Sequence, residues 1–226
     1  MGISPHRKIT LKEIREDSQV RVYLEKADEH MAAIGYTEHG VRHALLVAET
    51  AASILLELGH PEREIELASI AGYLHDIGNV IGRGEHGHVS ALIAQRVLGE
   101  IGMEHIEIAD VMGAIGNHEE TGGDPVNFIA AALILADKSD VNRSRVRNPK
   151  EIKFDIHDRV NYAAISSALK ADKEKRLIAL ELTIDTEISH IMEYFEIFLP
   201  RMSMCCKAAE HLKCKFRLVI NGTRLL

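Results

Sequence analysis

Apolar residues recur every three or four positions through the first two thirds of the chain, the period of helices with one buried face. Thr10 and Glu13 form a capping box, Ser18 offers a second start, and a helix is predicted from Gln19 to Ile34, stopped by Gly35. Thr37 opens the next, with Val41, Leu45, Ala48, Ala52 and Leu55 as its stripe and Gly59 as its end. Pro61 suits a first helical position, and the helix it opens runs through Ile65, Ala68, Ala71 and Leu74 into His75-Asp76-Ile77-Gly78. After a glycine-rich loop from Gly78 to Gly87, helices are predicted over His88 to Ile101, Glu104 to His118 and Pro125 to Asp140.

Beyond residue 142 the pattern changes. Arg143, Arg145, Arg147, Lys150 and Lys153 face a single acid, Glu151, in a stretch that reads as a basic loop or linker. Ile178, Leu180, Leu182 and Ile184 then alternate with less apolar neighbours, a strand signal, and Val160 to Leu169 suits a hairpin partner. A helical stripe from Ile188 to Ala209 follows, with Pro200 expected to kink or split it. Phe216, Leu218 and Ile220 alternate again. The expected organisation is a mainly α protein: a helical domain over residues 1–142, a basic linker over 143–156, and a small α+β module (β-β-α-β) over 157–226.

A chain of 226 residues with 46% apolar residues buries a sizeable core without cross-links. Three cysteines, none in a C-x-x-C, suit a reducing compartment, and no apolar run is long enough to span a bilayer, so a cytoplasmic location is expected. The net charge of −7 argues against duplex nucleic acid as a partner, yet leaves room for a small phosphorylated molecule held by local positive charge.

The candidate chemistry lies in histidines and acids at helix ends. His75-Asp76 places a nitrogen and a carboxylate donor side by side, a pairing that suits a first-row transition metal. Alone, the dipeptide reads more readily as a helix terminus with a capping Asp. It is accompanied, however, by HGVRHALLVAETA with His43, EHGHVSA with His86 and His88, GNHEETGGDP with His118, and ILADKSDVNR with Asp137.

Across residues 37–147 this order resembles the HD superfamily of metal-dependent phosphohydrolases. The resemblance implies an HD-type helical core and a minimal metal site of His43, His75, Asp76 and Asp137. Similarity to two-metal members adds His118 and, by the pattern H-G-x-V-small-Ala, His86 in preference to His88. The implied cofactor is a divalent transition metal, two ions of Fe, Mn, Co or Zn. Two such ions about 3.5–4 Å apart can share Asp76 and supply a hydroxide for attack on a phosphoryl group. Lys138, Arg143 and Arg83 are candidates for phosphate binding; Arg145 and Arg147 read more readily as solvated charge. Glu119 and Glu120 suit either a proton donor or a support for a ligand histidine.

The absence of paired histidines and of Gly-Tyr-Pro separates the chain from members that cleave cyclic di-GMP, and its local motifs look more like those of members that cut dinucleoside polyphosphates. The leading expectation is hydrolysis of a phosphoester or phosphoanhydride in a nucleotide-like metabolite. Two alternatives are a mixed-valent di-iron oxygenase, which would use the same ligands, and a non-catalytic nucleotide-sensing or interaction protein with the β-β-α-β tail as its working part. The tail is expected to be structural, or to pair two copies through an open strand edge as a homodimer.

Overall fold

Thr10 and Glu13 cap each other's backbone at the start of α1 (Leu11–Glu16), and Asp17 caps α2 (Ser18–Ala33) through the amides of Gln19 and Val20. The computed structural model describes residues 8–148, 150 and 155–226. Glu151 and Lys153 of the basic stretch lie outside the described residues. α3 (Val41–Leu58) begins after Gly40 rather than at Thr37. The intervening backbone is engaged elsewhere: the Glu38 amide donates to the Arg145 carbonyl at 2.8 Å, and the Glu38 carboxylate takes the Gly40 amide at 2.8 Å. α4 (Glu62–Leu74) ends one residue before His75, and a 3-10 turn over Ile77–Val80 follows.

α5 (His86–Ile101) starts two residues earlier than its apolar stripe suggests, because Glu85 turns the chain at φ +57°. α6 (His105–Gly116) and α7 (Phe128–Ser139) complete the helical core. Every residue of α7 from Ile129 to Ala136 is buried, as expected for a helix apolar on all sides, and its last turn delivers Asp137 to the middle of the bundle. Two glycines set the close approaches that bring the polar helix ends together. A Cβ on Gly72 of α4 would lie 2.7 Å from the Ala48 Cα of α3. One on Gly78 would meet the His86 carbonyl at 2.5 Å, and the Gly78 amide instead donates to Ser90 Oγ at 2.7 Å.

The C-terminal part contains α8 (Ile156–Ala163), β1 (Ala164–Asp172), β2 (Leu177–Ile184), α9 (Ile191–His211), β3 (Lys215–Ile220) and β4 (Thr223–Arg224). The strands lie in the order β1-β2-β3-β4. β1 and β2 form an antiparallel hairpin with Leu169 opposite Leu180, and α9 is the crossover to β3, which pairs in parallel with Leu180 opposite Leu218. The fold is therefore mainly α with a small C-terminal sheet of the β-β-α-β kind, extended by the short β4.

Two local expectations are corrected. Val160 to Ala163 is helical, not strand, because Asp155 caps α8 through the amides of His157 and Asp158. Asn161 also bonds back to the His157 carbonyl at 2.8 Å, one helical turn away. α9 is not split by Pro200 and runs unbroken to His211. Its buried face, with Phe198, Met202, Cys205 and Ala209, packs on both α7 and the sheet. Among the described residues, no helix is long and apolar enough to cross a membrane.

Candidate metal centre

The ends of α4, α6 and α7 and the starts of α3 and α5 converge on a polar centre inside an apolar core. His43, His75, Asp76, His86 and His118 are all at most 2% exposed. Three overlapping groups present ligand atoms within 4.8 Å of one another: His43, His75 and Asp76; His75, His118 and Asp137; and Asp76, His86 and His118. All six residues singled out as ligands in the sequence are thus brought together. His88 is not among them. Two positions round α5 from His86, it is exposed and pairs with Glu85 at 2.8 Å.

Each of the four histidines has its Nδ1 against an acceptor. His43 meets Asp140 Oδ2 at 2.7 Å, His75 the Gly72 carbonyl at 2.8 Å, His86 Glu119 Oε1 at 2.6 Å, and His118 the Ile115 carbonyl at 2.6 Å. A nitrogen facing a carbonyl or carboxylate carries the proton, which leaves the Nε2 lone pair for the centre. His43 Nε2 and His75 Nε2 lie 3.2 Å apart. Asp137 Oδ1 is 3.4 Å from the first, and Asp76 Oδ2 is 3.4 Å from the second. The other oxygen of Asp76, Oδ1, sits 3.1 Å from His86 Nε2. A set of acceptors gathered at this distance out of water is stable only with a positive charge between them.

In the polypeptide alone that charge is a proton. Burial opposes charging His86, but its hydrogen bonds to Asp76 and Glu119 raise its pKa to about 9. Burial likewise works against ionising Asp76, yet the adjacent His75 and the His86 hydrogen bond hold its carboxyl well below the usual range. At His118 burial dominates, reinforced by the neighbouring His75 and Lys138, and the pKa falls to about 3. Nitrogen and carboxylate donors, with their outward nitrogens fixed by acceptors, fit a divalent transition metal displacing those protons.

Residues that sequence reading valued less support the ligands. Asp140 stands one helical turn after Asp137, and besides His43 it takes Arg42 Nη2 at 2.9 Å. Burial raises the cost of its charge, but the His43 hydrogen bond and Arg145 hold its carboxyl well below the usual range. Arg145, expected in solvent, is buried and donates to the carbonyls of Asp140 at 2.9 Å and Glu38 at 3.0 Å. Arg147 pairs with Asp28. Lys138 is buried against Asp137 Oδ2 at 2.7 Å and Glu120 Oε1 at 3.1 Å. Arg143 is not brought to the centre; it is exposed, with its guanidinium over the Tyr162 ring at 5.4 Å.

A cavity of about 390 Å³ opens beside the cluster. His39, whose ring packs 5.7 Å from that of His43, lines it together with Arg83, Arg145 and Arg201. Arg83 Nη1 lies 3.6 Å from Asp76 Oδ1, so Arg83 touches both the cavity and the ligand cluster. Arg201 comes from α9 and pairs with Glu120 at 3.0 Å. The tail supplies none of the grouped ligands, yet it does line the adjoining cavity, which its alternating apolar pattern could not reveal.

Comparison with known proteins agrees with this geometry. An uncharacterized protein of Methanocaldococcus jannaschii, MJ1020, is similar to this chain, with 28% identity over 204 residues covering 80% of this chain and 78% of the relative. The HD domain family model matches residues 40–162, a span that contains every grouped ligand. That match covers more than half of the sequence, and with the ligands in their order along it the chain belongs to the HD domain family.

Proposed function

We propose that the protein is a metal-dependent phosphohydrolase acting on a phosphoester or phosphoanhydride of a small, nucleotide-like metabolite. The observation that carries the reading is the buried ring of Nε2 and carboxylate acceptors beside an arginine-lined cavity, with Arg83 in contact with both. HD domains are in general metal-dependent hydrolases, and these donors suit two ions. His43, His75, Asp76 and Asp137 would hold one; His86 and His118, with the second oxygen of Asp76, would hold the other. When bound, such ions acidify water and offset the negative charge that builds on a phosphoryl group in an in-line attack.

The remaining work falls to the chain's own groups. Asp140 and Glu119 fix the rings of His43 and His86 by accepting from their Nδ1 atoms. Glu119 is unsuited to protonating a leaving group: burial would raise its pKa, but the His86 and Gly87 hydrogen bonds pull it down to about 2. Arg83, Arg145 and Arg201 give the cavity the positive charge that draws a phosphate toward the ligand cluster. Lys138 compensates Asp137 from the other side, and Glu120 ties Lys138 to Arg201.

The test is reconstitution of the purified protein with Mn, Fe, Co or Zn, elemental analysis, and a screen for orthophosphate released from nucleotides and sugar phosphates. Two ions per chain and turnover of a phosphorylated metabolite are the expected results. Oxygen consumption by the iron-loaded protein without phosphate release would replace hydrolysis with the oxygenase reading.

A further inference from the structure

Residues 36–39, which stay outside α3, carry a fifth histidine held in the manner of the four ligand histidines. His39 Nδ1 faces the Thr37 carbonyl at 2.7 Å and so bears the proton, which leaves the lone pair on Nε2. The His39 amide donates to Asp28 Oδ1 at 3.0 Å, so the backbone is fixed as well as the ring. Unlike the other four, His39 belongs to none of the grouped metal donors. It is 7% exposed and borders the arginine-lined cavity. Its Nε2 has no hydrogen-bond partner among the described residues and is not one of their fully enclosed polar atoms.

Two of the cavity arginines flank this segment. Arg83 lies over the Tyr36 ring at 5.8 Å, and Arg145 donates to the Glu38 carbonyl at 3.0 Å. A second proton on His39 would put another positive charge out of water beside those guanidinium groups, so the ring is neutral; cations at the ligand cluster act in the same direction. A phosphate drawn to the arginines brings mainly acceptor oxygens, which a bare Nε2 cannot bind. An ordered acceptor among phosphate-binding donors therefore calls for a hydrogen-bond donor next to the phosphate. The cavity volume of about 390 Å³ leaves room for an organic part that carries one.

We propose that His39 is a specificity-determining residue of this cavity. Its Nε2 accepts a hydrogen bond from a hydroxyl or amino group that the substrate carries close to its phosphoester oxygen. The substrate class is a phosphomonoester of a polyol, sugar, nucleoside or amino alcohol rather than a simple alkyl phosphate. The inference rests on reading the cavity as the substrate site of the phosphohydrolase. It concerns recognition, however, and binding can be measured where turnover is not.

The experiment is calorimetric binding to the metal-free protein, followed by KM and kcat on the metal-loaded protein. The probes are pairs that differ only in their donors: glycerol 1-phosphate and propyl phosphate, 2-aminoethyl phosphate and ethyl phosphate, adenosine 5′-monophosphate and its 2′,3′-dideoxy analogue. In at least one pair the donor-bearing ester should bind about tenfold more tightly, the effect of one hydrogen bond. His39→Phe keeps a ring against His43 and removes the acceptor. It should lower affinity for that ester about tenfold, leave its partner nearly unchanged, and move KM more than kcat. His39→Gln, which restores an acceptor oxygen, should recover part of the preference. Equal binding within every pair by the wild type, or no binding of any donor-bearing ester at millimolar concentration, overturns the proposal without any variant. An equal loss on both members of the pair in His39→Phe makes His39 a mere support for His43 and overturns it as well. If the pair and variant effects appear in binding while no metal supports phosphate release, the role of His39 stands and the hydrolase reading falls. Phosphate release with no preference within any pair leaves the hydrolase reading and removes the role of His39.

Discussion

In the helical core the centre of the packing is occupied by four imidazoles and two carboxylates, whereas the corresponding layer of the C-terminal sheet holds Ile178, Leu180, Leu182 and Leu218 against α9. Both regions are dry. Burying leucines in the sheet stabilises by roughly 1.5–3 kcal/mol for each side chain. Burying histidines and aspartates costs free energy unless every charge is matched, and fully matched polar clusters are seldom better than an apolar filling. A chain that can build the second kind of centre and nevertheless keeps the first retains it for chemistry. The supports around it fit that view: Asp140, Glu119 and two backbone carbonyls hold the rings so that their free nitrogens face inward.

Replacing one charge in the polar centre breaks the comparison most sharply. Asp76→Asn keeps the shape of the side chain whose two oxygens face His75 and His86, but removes its charge. Metal content should drop, and phosphate release should fall by about three orders of magnitude or more. The helical circular dichroism should be nearly unchanged, because the apolar faces of α3, α4 and α7 are untouched. A fully active Asp76→Asn protein would refute the metal-centred reading.

The opposite result is expected in the sheet. Leu180 is fully buried on β2, the strand paired on both sides. Leu180→Ala should destabilise the protein by about 3 kcal/mol in denaturant titrations through a lost side chain and the cavity left behind. Metal content of the folded variant should stay at the wild-type value. Loss of metal from a folded Leu180→Ala protein would show that the two regions are not independent in the way their interiors suggest.

Asp140 lies between the two kinds of residue, since it touches His43 but belongs to no ligand group. Asp140→Asn weakens its grip on the ring and leaves Arg42 and Arg145 with less compensation. Metal affinity should fall about 10- to 100-fold, as for other groups that orient a ligand. Titration with a competing chelator measures this directly, and an affinity within twofold of the wild type would reduce Asp140 to a packing role.

What could be read from the chain follows from how local each signal is. His75-Asp76 and Asp137 announce themselves at helix ends, and the choice of His86 over His88 followed from the motif around it. The structure turns those two side chains to different sides of α5. Asp140 was within reach, because Asp137 and Asp140 share one turn at the end of α7. Arg145 and Arg201 were not. Each looks like surface charge until its partners are known, and although Asp140 is close to Arg145 in the chain, Glu38 and Glu120 lie far away in the sequence. The strand assigned to Val160–Ala163 failed for a related reason: β-branched and aromatic residues invite a strand, but the Asp155 cap and the Asn161 back-bond select a helix.

The smallest expected effect concerns the seam where α8 meets α9, two helices that both supply residues to the cavity lining. Glu193 accepts from Arg159 Nε at 3.1 Å, from Ser189 Oγ at 2.8 Å and from the His190 amide at 3.1 Å, so it caps α9 and ties α8 to it at once. The Arg159 and Ser189 hydrogen bonds are the main cause of its pKa falling to about 2. A carboxyl depressed by folding contributes stability above its unfolded value, near 4.5, and loses that contribution as pH falls through 4.5 toward 2. Because the pair is close to solvent, the contribution should be only about 0.5–1 kcal/mol. Glu193→Gln removes the charge and keeps the cap's shape. Its stability difference from the wild type should be largest at neutral pH and should shrink between pH 4.5 and 2, even though many other carboxyls titrate in both proteins. Taking the difference between the two chains cancels those shared titrations. A gap that stays constant from pH 7 to pH 2 would mean that the ionised carboxylate does not hold α8 to α9, and the placing of the cavity-lining residues of α8 would then have to come from its apolar contacts alone.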